Sequence, residues 1–168
     1  LHLLLHAFRI VADARPNLRL VFSTHAEPGK PYAQVRALGL EQHVVFIAGD
    51  DFGTVRDLMA AANVAVCPRT ICLGFPIKLL NYMAAGKAIV ASQGSACGLR
   101  HLESGWVVED GDAAGMAAAI LSLLDDPDLA QRLGESARRT VQLNHTWDQA
   151  AASIESAYQH LLGLAGTP

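Results

Sequence analysis

The run from Pro68 to Ser92 holds the residue types best suited to chemistry: Pro-Arg-Thr-Ile-Cys-Leu-Gly-Phe-Pro-Ile-Lys-Leu-Leu-Asn-Tyr-Met-Ala-Ala-Gly-Lys-Ala-Ile-Val-Ala-Ser. It reads as strand end, Gly74-Phe75-Pro76 turn, short helix, second turn and strand. Pro76 suits a place at or just before the first helical turn, where a missing N–H costs nothing. The amides of Ile77 and Lys78 then lack helical partners and stand at the positive end of the helix, an arrangement that attracts an anion. Gly74 lets the backbone approach a ligand closely. The Lys78 ammonium offers a cation to a phosphate, or else serves as a solvated lysine on the helix face. Asn81 follows one turn later and can accept a hydrogen bond through its side-chain carbonyl, or sit idle on the surface.

Other candidates are less specific. Gly49-Asp50-Asp51 follows an apolar run; its adjacent carboxylates could ligate a metal or lead a helix, but no further hard ligand is spaced to complete a cage. Thr24-His25 ends another apolar run, where a histidine could hydrogen-bond a phosphate or be an ordinary loop residue. The other histidines show no His-Glu-x-x-His spacing, and no serine sits in a Gly-x-Ser-x-Gly elbow, so neither a metal site nor hydrolase chemistry is expected. Cys67, Cys72 and Cys97 are odd in number and lack metal or redox spacing; they read as incidental thiols in a reducing compartment. Trp106 and Trp147 read as packing residues.

The elements that must position these groups follow from periodicity and stop signals. Residues 1–14 form an amphipathic helix ended before Pro16. Leu18–Thr24 reads as a strand, Ala26–Pro31 as a loop, residues 32–38 as a short helix closed by Gly39, and His43–Ala48 as a strand. Thr54 is expected to cap a helix reaching about Ala62. Val64–Cys67, Ala88–Ala91 and Trp106–Val108 complete the strands. Asp112 opens a helix through Leu124, Asp126-Pro127 one reaching Leu143, and Thr146 the last, through Leu162. Continuous apolar strands alternating with helices predict an α/β fold, a doubly wound parallel sheet covered on both faces. Ligands of such sheets bind beyond the carboxyl ends of the strands, so the loops after Thr24, Ala48 and Cys67 are expected to meet at one rim.

The 168 residues are 51% apolar and 17% charged, a globular composition suited to one domain. The net charge of -3 without a Lys/Arg cluster argues against nucleic-acid binding. No apolar run reaches membrane-spanning length and the first residues lack a signal-peptide pattern, so a cytoplasmic location is expected. The chain opens on Leu1, already in helical periodicity, which reads as a fragment truncated at its N-terminus.

The Pro68–Ser92 run resembles the nucleotide-sugar-binding segment of GT-B glycosyltransferases, family 4. Gly74-Phe75-Pro76, Lys78-Leu79-Leu80, Tyr82-Met83-Ala84-Ala85-Gly86-Lys87 and Ile89-Val90-Ala91 carry the likeness. It extends over nearly the whole chain: Leu4–Phe8 looks like the helix after the first strand of that family's C-terminal half. Further matches are Leu38-Gly-Leu40 with Val44–Gly49, Gly105–Val108 with Asp110-Gly-Asp112, Asp125-Asp-Pro127 and Thr146-Trp147.

The resemblance implies a Rossmann-like C-terminal half, residues 1–168, that binds a nucleotide-diphosphate sugar as substrate, with no cofactor and no metal. It implies the diphosphate at Gly74–Lys78, the nucleobase near Gly49 and Asp50, and Thr24 and His25 beside the phosphates. Two family glutamates, one facing the donor sugar and one the ribose, fall on Leu73 and Asn81. Leucine cannot make the sugar contact; Asn81 keeps an acceptor for the ribose. It also implies an acceptor half upstream, with the family's basic phosphate clamp just before Leu1. Residues 146–163 would form a helix contacting that half, and any peripheral membrane association would come through it. The intact enzyme would transfer a sugar with retention. A noncatalytic nucleotide-binding module and a nucleotide-sugar epimerase of the same fold stand as alternatives.

Overall fold

The computed structural model describes residues 1–24, 29–49 and 51–163. The chain runs α1 (His2–Ala14), β1 (Leu20–Thr24), α2 (Gly29–Ala37), β2 (Val44–Ala48), α3 (Phe52–Ala61), β3 (Val64–Cys67), α4 (Ile77–Ala84) and β4 (Ala88–Ser92). After a 3-10 turn (Gln93–Ser95) follow β5 (Trp106–Val108), α5 (Ala113–Asp125), α6 (Pro127–Asn144) and α7 (Trp147–Leu161).

Strand β4 explains the architecture. All five of its residues are buried, because successive side chains point to opposite faces and both faces are covered. Ala88 and Val90 join the core formed with Leu5 and Val11 of α1 and Met116 and Ile120 of α5. Ile89 and Ala91 join a second core with Leu79 and Met83 of α4 and Ala137 of α6. An α/β fold with parallel strands and helices on both faces is therefore what the chain forms, as the apolar runs predicted.

The sheet differs from that expectation in its continuity. The strands form two parallel sheets, β1-β2 and β3-β4-β5, and no hydrogen-bonded ladder joins β1 to β3 among the described residues. The first sheet pairs Leu20 with Val44 through Thr24 with Ala48. It is packed on one face only: Leu20, Phe22 and Phe46 lie against the larger core, whereas Val21 and Val45 on the other face are 44% and 40% exposed.

Several ends were predicted from caps and hold. Asp112 accepts from Gly115 N–H at 2.8 Å, Asp126 from Leu129 N–H at 2.9 Å, and Thr146 forms a reciprocal capping box with Gln149. Strands β1 and β2 begin later than expected, at Leu20 and Val44, and α2 begins earlier, at Gly29, before the Pro31 expected to bound the loop. The cap of α3 is corrected: Asp51, not Thr54, is the N-cap, and Thr54 donates to it. Trp106 packs partly against the core, but Trp147 is 91% exposed and α7 contains no buried residue.

Candidate functional site

The loop between β3 and α4 is built around one backbone requirement. Gly74 adopts φ +84, a left-handed conformation costly for any residue with a Cβ. A Cβ placed there would meet nothing within 4 Å, so the need for glycine is conformational and the space above it is open. Pro76 then takes the N-cap position of α4, with φ -72 and ψ 108, and its carbonyl accepts from Leu79 N–H at 2.9 Å and Leu80 N–H at 3.3 Å. Pro76 has no side-chain acceptor to cap the helix. The N–H groups of Ile77 and Lys78 make no hydrogen bond among the described residues and stand at the positive end of the helix dipole.

The side chains around these amides divide sharply. Leu79 and Met83 are buried and anchor α4. Lys78 and Asn81, one turn apart, are exposed, and neither side chain has a hydrogen-bond or ion-pair partner among the described residues. Leu73 is 98% exposed and Ile77 74%, so the loop presents apolar side chains beside the free amides. Phe75, 39% exposed, makes two contacts. Its ring lies 4.9 Å from that of His145, at 53°, and against Gly98, where a Cβ would come within 3.1 Å of Phe75 Cζ.

Three groups absent from the sequence-based candidates hold this loop. Ser95 Oγ donates to the carbonyl of Cys67 at 2.8 Å, tying the end of β3 to the turn after β4. Gly94 permits the closest approach in the region, since a Cβ there would lie 1.8 Å from the Thr70 carbonyl oxygen. Asp110 accepts from Gly94 N–H at 2.9 Å and fixes the turn from the other side. A Gly-Ser pair one residue beyond a buried strand was the available signal for the first two. Burial pushes the Cys67 thiol up to about 11, so it is a neutral group at neutral pH, not a nucleophile.

The second candidate loop follows β2. The carbonyl of Gly49 accepts from Ser23 Oγ at 2.9 Å, which joins the ends of β1 and β2. Asp51 accepts from Thr54 N–H at 2.9 Å and from the Thr54 hydroxyl; these bonds, the hydroxyl's first, hold its carboxyl below the ordinary range. Asp51 is thus a helix cap. Thr24 ends β1 opposite Ala48, while His25 and Asp50 lie outside the described residues. The structure therefore brings Leu73, Gly74, Pro76, Ile77, Lys78 and Asn81 together on one loop and helix face, and Thr24 and Gly49 together on another. Among the described residues no cluster of three His, Cys, Asp or Glu could hold a metal ion, and no helix is long and apolar enough to cross a membrane.

Known proteins share this arrangement of elements. The family described as Glycosyl transferases group 1 matches residues 1–140. Phosphatidyl-myo-inositol mannosyltransferase of Mycolicibacterium smegmatis is 34% identical over 127 residues, 74% of this chain and 32% of that protein. MMP alpha-(1->4)-mannosyltransferase of Mycolicibacterium hassiacum is 30% identical over 164 residues, 94% of this chain and 39% of that protein. The chain thus spans well under half the length of these relatives. Among solved structures, sucrose-phosphate synthase from Thermosynechococcus elongatus superposes with a TM-score of 0.83 at 24% identity, over 96% of this chain and 43% of that one. Anabaena HepE in complex with UDP superposes with a TM-score of 0.75 at 22% identity, over 92% and 44%. At these identities the two superpositions speak to fold alone, the C-terminal Rossmann-like half of GT-B proteins. With a family match over residues 1–140, the chain belongs to the Glycosyl transferases group 1 family.

Proposed function

We propose that this chain is the donor-binding half of a retaining glycosyltransferase resembling family 4, and that it holds the diphosphate of a nucleotide-diphosphate sugar on the amides of Ile77 and Lys78. The observation that carries this reading is the pair of unpartnered N–H groups at the start of α4, beside open space over Gly74. Amides fixed in this way stabilise charge as it develops on a leaving diphosphate without reorganising during the reaction. Lys78 adds a mobile cation, and Asn81 accepts from the ribose. The family resemblance would put Gly49 near the base and Thr24 beside the phosphates. Leu73 stands where the family carries a glutamate toward the sugar, so that contact is replaced by an apolar surface. The acceptor attacks from the face that the diphosphate leaves, which retains the anomeric configuration. No metal or cofactor takes part, and the enzyme works in the cytoplasm. HepE, which shares the fold, was solved in complex with UDP, and this supports a nucleotide as the ligand.

The same reading accounts for the divided sheet. In the doubly wound strand order 3-2-1-4-5-6, β2 and β1 take places three and two, and β3, β4 and β5 take four, five and six. A further half with the acceptor site would pack against α7, whose Trp147, Ile154, Tyr158 and Leu161 form an exposed apolar stripe.

Calorimetric titration with UDP, GDP and ADP and their sugars tests donor binding by this chain. One of the three nucleotides should bind at one site; no heat with any of them overturns the reading. Proton NMR of the first product formed by the protein carrying both halves tests retention, through the anomeric coupling of the transferred sugar.

A further inference from the structure

On the far side of Phe75, between α6 and the segment joining β4 to β5, lies a cavity of about 510 Å³. Its volume falls in the usual range of small-molecule sites. Arg100, Arg139, Ser136, Thr140, Asn144 and His145 line it, with Glu103. Two of its lining residues, Gly98 and His145, touch Phe75 of the loop after β3.

The groups in this cavity have complementary roles. Arg139 makes no hydrogen bond or ion pair among the described residues. Arg100 donates to Glu103 at 2.9 Å, a pair whose side chains are 76% and 60% exposed and which exchanges readily with another anion. Two guanidinium forks and an imidazole supply more donors than a carboxylate can use, but they match the several oxygens of a phosphate monoester. The Thr140 hydroxyl donates to the Ser136 carbonyl at 3.0 Å, and the Asn144 amide nitrogen donates to the Thr140 carbonyl at 3.1 Å. Thr140 Oγ1 and Asn144 Oδ1 are thereby left as acceptors, suited to hydroxyl donors.

We propose that this cavity binds a phosphorylated polyol, with its phosphate between Arg100 and Arg139 and its hydroxyls on Thr140 and Asn144. The site is separate from the nucleotide site and does not depend on it. The polyol phosphate is either a free metabolite or a lipid headgroup.

The test uses the 168-residue chain, with myo-inositol 1-phosphate as the soluble probe, inositol as its control, and phosphatidylcholine vesicles with and without phosphatidylinositol 4-phosphate. Two variants give opposite signs. Arg139→Gln removes a cation that holds nothing else in place, and binding should weaken about tenfold. Glu103→Gln removes the competing carboxylate, and binding should tighten severalfold. The Phe75 ring resonances should shift on binding while the Ile77 and Lys78 amides stay put. Saturable heat with the soluble probe, absent with inositol, assigns a free metabolite. Vesicle binding that needs the phosphoinositide and is lost in Arg139→Gln, without solution binding, assigns a headgroup. Binding in neither arm, affinity unchanged in both variants, or shifts confined to Ile77 and Lys78 would overturn the proposal.

Discussion

The rings of Phe75 and His145 stand 4.9 Å apart at 53°, joining the loop before α4 to the end of α6 across seventy positions of sequence. The contact, together with that of Phe75 on Gly98, ties the loop that carries the free amides to the rest of the domain. Tilted aromatic pairs of this kind contribute about 0.5–1.5 kcal/mol beyond area burial. Phe75→Ala should therefore lower stability by about 1 kcal/mol or somewhat more. Hydrogen exchange at residues 73–78 should rise, with little change in β4. Equal loss of protection in both places would mean that Phe75 supports the core and not the loop.

Gly94 makes a sharper prediction. A methyl group there would lie 1.8 Å from the Thr70 carbonyl oxygen, a backbone atom that cannot swing aside. Gly94→Ala should cost about 1–3 kcal/mol, as overpacking does, by pushing the segment after β3 away from the turn after β4. The thermal midpoint reads the cost. Chemical shifts should move at Thr70, which the methyl group would meet, and at Asp110, which accepts from the Gly94 N–H.

Asp51 supplies a pH signature. Its carboxyl is held below the ordinary value by the Thr54 hydroxyl and then by the Thr54 N–H. A pKa depressed by folding gives a contribution that is full above the unfolded value of about 3.9 and disappears as pH falls through the lower folded value. Wild type should therefore melt above Asp51→Ala at pH 6, and the gap should close on acidification below about pH 4. A gap independent of pH would point to Thr54 as the cap after all.

Asn81 bears on the nucleotide. Removing one neutral hydrogen bond costs about 0.5–1.5 kcal/mol, up to roughly tenfold in affinity, so Asn81→Ala should weaken UDP binding by that order. Asn81→Glu should strengthen it by offering a charged acceptor beside Lys78. Calorimetry on the three proteins separates these outcomes from a solvated surface role, for which neither change would matter.

What the sequence revealed divides along the range of the interactions. Strand β4 was legible because both of its faces are buried and its apolar run is unbroken, and Asp112, Asp126 and Thr146 were legible because a cap acts within four residues. Asp51 and Thr54 were exchanged since each is a good cap residue, and their spacing of three suits either as the partner of the other. Gly74, Pro76 and the Ile77 and Lys78 amides were found from local turn and helix chemistry. The supports of that loop were not, because Ser95, Gly94 and His145 reach it through folding and not through spacing. The divided sheet was hidden for the same reason: strand neighbours are set by pairing across the molecule. Trp147 lies on an amphipathic stripe, and such a stripe cannot tell whether this chain supplies its cover.

Everything proposed for the donor turns on whether the amides opening α4 receive a diphosphate. Titrating UDP into isotopically labelled chain and following the amide resonances answers that directly. The largest shifts should fall at Ile77 and Lys78, with smaller ones at Gly74 and Gly49, and inorganic pyrophosphate should reproduce those at Ile77 and Lys78 but not at Gly49. Shifts centred on Asp110–Asp112, or none at Ile77 and Lys78 at saturating UDP, would contradict a diphosphate site at the start of α4.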